Sequence, residues 1–188
     1  MRTVLRVNIN DLSNQLLYEL GQKFGQSAEV EIRVQKKKKK QELFSDEQFW
    51  QIINTLDWTQ KTQKDILAPA IKQLAEMPIV NIYLFADKLA EKLYLLDTRL
   101  HGDAYLAKQE DDYFSVDDFL YVRCAVVAEG QAYYKQVLND PQTMPGDITF
   151  EPLLFLADAA YEQQVGKQFD YQPTYNYETY SNKKGWQL

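Results

Sequence analysis

The sequence predicts an α+β protein: a helical body of about five helices over residues 45–188, preceded by a small β-α-β unit at 1–34 and a lysine-rich linker at 35–44. Three observations carry that expectation. Short runs near the start alternate apolar and polar residues, the period of a half-buried strand. From Phe49 onward the apolar residues recur at helical spacing. Between the two patterns lie five consecutive lysines, Lys36 to Lys40.

In the first unit, Leu5, Val7 and Ile9 alternate with Arg6 and Asn8, and Val30, Ile32 and Val34 alternate with Glu31 and Arg33, which reads as two strands. Between them Leu12, Leu16, Leu20 and Phe24 stand four apart, with Asn10 or Asp11 as a cap and Gly25 as a stop, the pattern of an amphipathic helix. Two strands make too small a sheet to stand alone, so their edges call for the body, a second copy or another protein.

The body opens at Ser45, where Ser45 and Gln48 are spaced as a capping box. The first helix holds Phe49, Trp50, Ile53 and Leu56. A second spans TQKDILAPAIKQLAEM, with Pro69 early in it or kinking it. The third and longest follows Pro78, and the fourth starts at Ser115 with carboxylates in its first turn and Gly130 as a possible break. The fifth is capped by Thr149 and stopped by Gly166. Beyond it lies an irregular segment with Phe169, Tyr171, Tyr175, Tyr177, Tyr180 and Trp186, too aromatic for a free tail and expected to pin itself on the helices.

Composition narrows the function. With 188 residues, 45% of them hydrophobic, the chain can bury a core. No apolar run reaches the roughly 18 residues that span a bilayer, and the start lacks a signal peptide's apolar core, so a cytoplasmic protein without membrane contact is expected. A lone cysteine, Cys124, rules out an internal disulfide and, among apolar neighbours, reads as a packed thiol. Residues 1–44 hold nine Lys and Arg against five Asp and Glu, leaving 12 against 22 in the rest, so the body carries −10 of the net −6. A surface of that sign repels phosphate backbones, which argues against nucleic acid.

Helical geometry singles out two charges. On the third helix Ile79, Ile82, Tyr83, Ala86, Leu89, Ala90 and Leu93 form one stripe, and Asp97 falls on its centre line. On the fourth, Arg123 falls inside the arc of Phe119, Leu120, Val122, Val126 and Val127. A buried guanidinium needs an anion, so Asp97 and Arg123 are expected to meet, chiefly to fix helix packing. His101, the only histidine, is expected as a solvated imidazole in a polar turn beside Arg99, Gly102 and Asp103. With Asp97 and Arg123, it completes a set of ligand-binding candidates with Tyr177, Glu178 and Trp186. Glu110, Asp111 and Asp112 lack the spacing of a calcium loop, and phosphate loops and zinc spacings are absent, so neither metal nor cofactor is expected.

The runs FWQIINTLDW, LAEKLYLLDTRLHGDAY, SVDDFLYVRCAVVAEGQAYYKQVLNDP, FEPLLFLADAAYE and YNYETYSNKKGW, ordered between Phe49 and Trp186, resemble a bacterial family known as domain of unknown function 4240. That resemblance implies a largely helical bacterial cytoplasmic domain and no particular reaction. The first 34 residues resemble the short strand-helix-strand units that open some antitoxin-like proteins. The leading expectation is a non-enzymatic protein-binding module that pairs with itself or a partner through the N-terminal strands, in an antitoxin or immunity role. The alternative is an enzyme or small-ligand domain with its site around Asp97, Arg123, His101 and the aromatic C-terminal segment, which requires a concave pocket where these converge.

Overall fold

Ser13 opens helix α1 (Asn14–Phe24) in a computed structural model that describes residues 12–25, 43–110 and 113–188. Its hydroxyl accepts the Leu16 N–H at 3.2 Å, so Ser13 takes the capping place expected of Asn10 or Asp11. At the other end Gly25 stops the helix at φ 93°, a conformation that side chains disfavour. Leu16 and Leu20 are half-buried and Leu12, Leu17 and Phe24 exposed.

The chain divides into two compact units, Met1–Gln41 and Glu42–Leu188. Among the described residues no strand occurs and every regular element is a helix, so the class is all-α and the expected α+β class is overturned. The two expected strands, at 3–9 and 28–34, lie outside the described residues, as does the Lys36 to Lys40 run. Alternation over five to seven residues was a thin basis for a fold class, because it records which side chains share a face and says nothing of the pairing a strand needs.

In the second unit the Ser45 capping box is formed: Ser45 Oγ accepts from Gln48 N at 3.2 Å and Gln48 Oε1 accepts from Ser45 N at 2.9 Å. Helix α2 (Asp46–Ile53) follows. Then come α3 (Gln63–Ala75), capped by Thr62 and running through Pro69, and α4 (Ile79–Leu96), opened by Pro78. A helix not expected, α5 (Arg99–Leu106), begins after a two-residue joint. Gly130, at φ 97°, splits the expected fourth helix into α6 (Val116–Ala128) and α7 (Gln131–Asn139). Thr149 caps nothing. Two 3-10 turns, Pro141–Thr143 and Glu151–Phe155, lead to α8 (Leu156–Val165), which Gly166 ends in the left-handed region. The irregular segment that follows closes on a short helix, α9 (Lys183–Trp186).

Helix α6 is the centre of this unit. Nine of its thirteen residues are buried, on all faces, which explains why it shows almost no amphipathic bias. It packs on α4, α7 and the second 3-10 turn, while α8 packs on α3 and α4. The buried face of α4 is centred on Ile82, Phe85, Leu89, Leu93 and Leu96, a slight rotation from the expected stripe: Ile79 is exposed and Tyr83 half-buried. Phe85 stacks on Phe49 at 5.0 Å, and Lys88 and Lys92 on the same helix hold Asp46 at 2.8 and 2.9 Å, tying α2 to α4. Burial raises the Asp46 pKa, but the two lysines more than offset it and leave it below the usual carboxylate value. Among the described residues no helix is long and apolar enough to cross a membrane.

Candidate functional site

The chain places Asp97 where α4 must stop. Its N–H still bonds the Tyr94 carbonyl at 3.1 Å, but its ψ of 70° turns the backbone out of the helix, and Thr98 then caps α5. The side chain therefore points into the protein from a bend. Arg123 comes from the middle of the buried helix α6. Both side chains have no exposed surface, and Arg123 Nη2 lies 4.0 Å from Asp97 Oδ1.

Neither charge relies mainly on the other. Arg123 Nη1 donates to the carbonyls of Leu93 (2.9 Å) and Tyr177 (3.0 Å), Nη2 donates to Thr179 Oγ1 (2.9 Å), and the guanidinium lies 4.8 Å from the Phe119 ring centre. Its Nε is buried with no protein partner. Asp97 Oδ1 accepts the Trp186 indole N–H at 2.7 Å and the Tyr180 N–H at 3.2 Å. Oδ2 accepts the Asn182 N–H at 3.0 Å, and the Ser181 hydroxyl, which donates its one proton to the Asn176 carbonyl, lies 3.4 Å away. Three N–H donors converge on this one carboxylate and engage both of its oxygens. Burial lowers the Arg123 pKa to about 10 even with Asp97 beside it, so the guanidinium keeps its charge at neutral pH.

The partners of both charges come largely from the C-terminal segment. Thr179 passes its own hydroxyl proton to the Val116 carbonyl at 2.7 Å, and Asn182 Nδ2 donates to the Tyr94 carbonyl at 3.1 Å. Trp186 packs edge-on against Phe114 and Phe119 and tilts over Tyr180 at 4.5 Å. Its ring lies directly on Gly102, where an added Cβ would meet Trp186 Cη2 at 2.4 Å. That closeness requires a glycine in α5.

His101 departs from its expected place. Instead of a solvated turn it sits on α5, buried, its Nδ1 2.7 Å from Thr98 Oγ1 and its Nε2 3.1 Å from the Val137 carbonyl. The carbonyl can only accept, so Nε2 carries the proton and Nδ1 accepts from Thr98. Burial lowers its pKa, against the Val137 bond and with help from the Arg123 charge, so the ring stays neutral. Cys124 is fully buried, and burial pushes its thiol up to about 12.

Of the six candidate residues, Asp97, Arg123 and Trp186 therefore meet, and Tyr177 joins them through its carbonyl with its ring half-buried. Glu178 is exposed. His101 bonds to none of these groups, although the Arg123 charge acts on its ring and its neighbour Gly102 lies against Trp186. The residues that complete the site and were not anticipated are Thr179, Ser181, Asn182 and Gly102; the one sequence signal was Asn182, which caps α9 by accepting the Gly185 N–H at 2.9 Å. Among the described residues no group of three or more His, Cys, Asp or Glu is arranged to hold a metal ion.

Two surface cavities lie elsewhere. One of about 370 Å³ is lined by Lys64, Ala68, Ile71, Ala159, Glu162 and Gln163 between α3 and α8; another of about 340 Å³ includes Leu43, Leu84, Asp87, Glu91 and Tyr175. Neither contains Asp97, His101, Arg123 or Trp186. A separate cluster of half-buried rings, Tyr83, Tyr161, Phe169 and Tyr171, lies with centres 4.9 to 5.9 Å apart beside Asp87, which accepts the Tyr171 hydroxyl at 2.9 Å.

No curated protein and no solved structure matches this chain. A family described as protein of unknown function (DUF4240) matches residues 44–163, a span that includes Asp97, His101, Gly102 and Arg123 and stops short of Tyr177, Glu178 and Trp186. More than half of the 188 residues fit that description, and the chain belongs to the DUF4240 family.

Proposed function

We propose that this domain works by binding another polypeptide and not by catalysis. The observation that carries the reading is the enclosure of its fully buried charge pair: Asp97 and Arg123 have no exposed surface, and apart from Arg123 Nε their polar atoms are engaged by the chain itself. A catalytic acid or base has to come within hydrogen-bond reach of a substrate, and these two groups face inward. Neutral, doubly bonded His101 and the high-pKa thiol of Cys124 support the same reading. A small-ligand site at the pair would need a channel to two enclosed side chains, and the two cavities described lie elsewhere.

The outer surface offers what protein interfaces favour. Tyrosines are enriched at interfaces because they combine apolar area with a hydroxyl, and Tyr83, Tyr161 and Tyr171 gather with Phe169 on one face. The −10 charge of residues 45–188 suits a partner with a basic surface. In its most specific form the reading is an antitoxin or immunity role, with a toxin as the partner.

The test is affinity capture of the full chain from its native cells, followed by mass spectrometry under native conditions. The reading expects a stoichiometric polypeptide whose recovery falls at least tenfold with Tyr83→Ala and Tyr161→Ala together. A stoichiometric small molecule in its place, or recovery untouched by those substitutions, overturns it.

A further inference from the structure

We propose that the Asp97/Arg123 centre is a recognition cleft for an irregular, turn-forming polypeptide segment, occupied here in cis by residues 176–186 of the chain's own C-terminus. The inference deepens the polypeptide-binding reading and rests on it.

A peptide backbone presents N–H donors and C=O acceptors in turn, and the cleft supplies the complement of each. Asp97 takes the N–H groups of Tyr180 and Asn182, one on each oxygen, while Arg123 takes the Tyr177 carbonyl. Recognition through main-chain atoms gives affinity with little regard for sequence, and pockets for particular side chains then add selectivity. Three such anchors are present. The Trp186 indole fills the space that Gly102 leaves open and donates to Asp97; the Thr179 hydroxyl bridges Arg123 and the Val116 carbonyl; Asn182 reaches the Tyr94 carbonyl. The recognised pattern is thus Thr-x-Ser-Asn-x-x-Gly-Trp, as read from Thr179 to Trp186.

Two further observations separate the segment from the domain it lies on. Every cleft residue, from Leu93 through Asp97, Gly102 and Phe114 to Arg123, falls within the family match at 44–163, whereas the occupant lies in the run YNYETYSNKKGW, whose expected likeness to the family the match does not reach. The occupant also has little regular structure: its one helix has four residues, and Asn176, Glu178, Lys183 and Lys184 face solvent while Asn182 and Trp186 are buried. Tyr180 is held at φ 71°, a left-handed conformation uncommon for a tyrosine, at the point where its N–H meets Asp97. An empty cleft would leave a buried carboxylate short of three N–H donors, which is why something must fill it.

The test uses the full chain with a specific protease site inserted after Gly166, cleaved after folding, and a fluorescein-labelled synthetic peptide of residues 167–188. The nicked chain is expected to keep its helical circular dichroism and to take up the labelled peptide in a saturable way. Asn182→Ala or Trp186→Ala in the peptide should weaken uptake at least tenfold, and so should Asp97→Asn in the chain. Loss of helical signal on nicking, failure of the labelled peptide to enter, or equal uptake of the Trp186→Ala peptide overturns the cleft. Each of those failures leaves capture through the Tyr83 and Tyr161 face untouched, so the two readings fail separately.

Discussion

Asp97 and Arg123 illustrate how far a single residue can be read from its neighbours in sequence. Asp97 was legible only in part: the helical projection placed it on the apolar stripe, but Ile79 at the start of that stripe is exposed, and it is the bend at ψ 70° that turns the carboxylate inward. Arg123 was legible for a weaker reason than supposed, since α6 is buried on every face and any residue in its middle would have been enclosed. Apart from the Leu93 carbonyl, their hydrogen-bond partners were not legible, because they come from residues 54 to 89 positions away in a segment with no period. Asp97→Ala leaves the N–H groups of Tyr180, Asn182 and the Trp186 indole unmet beside a buried cation, and Arg123→Met leaves the Leu93 and Tyr177 carbonyls unmet beside a buried carboxylate, so each should lower the free energy of unfolding by about 3–5 kcal/mol in urea titrations. The double variant should lose clearly less than the sum, since each single change already empties the same centre.

His101 was misread because its sequence neighbours are polar. Arg99 and Asp103 do face solvent, but at helical spacing they lie on the side of α5 opposite the ring. The consequence is a pH dependence with a definite sign. Its folded pKa lies below the ordinary value of 6.5, so above about pH 6.5 both folded and unfolded forms are neutral and nothing is lost. As pH falls below that, the unfolded chain binds a proton that the folded one resists, and stability declines. Thermal midpoints should drop between pH 7 and pH 5, before most carboxylates titrate, and His101→Gln should flatten that part of the curve.

At the scale of elements, caps were read well and joints poorly. Ser45, Ser115 and Gly166 mark helix ends as expected, because each acts on its own next few residues. Helix α5 was missed since its glycine and charges lower helix propensity, and only tertiary contacts, above all Trp186 against Gly102, settle the matter. Thr149 shows the converse: a good capping residue caps nothing because Pro152 lies within a 3-10 turn before α8. Thr98 has two tasks, accepting the His101 N–H at 3.4 Å as cap and donating to the His101 ring. Thr98→Val keeps its shape and removes both bonds, and should cost about 1–2 kcal/mol by calorimetry, with the loss shared between α5 and the ring.

For the whole molecule, the helical body could be read from periodicity, and the fold class could not. The class rested on two short alternating runs, whereas the body rested on more than a hundred residues of consistent spacing, and consistency over length is what makes a pattern informative. The C-terminal segment gave away its aromatics but not its path, because hydrogen bonds between a bend, a buried helix and an irregular chain leave no local trace. It is this segment that turns a bundle of helices into a closed unit.

The most direct measurement of that closure is amide hydrogen exchange, read by mass spectrometry over peptides covering residues 176–186. The amides of Tyr180 and Asn182, bonded to Asp97, should be protected in the natural chain, and Asp97→Asn should speed their exchange at least tenfold while α3 and α8 keep their protection. Exchange in the natural chain as fast as in an unfolded peptide, or protection that survives Asp97→Asn unchanged, would contradict a C-terminus fastened by the buried charges.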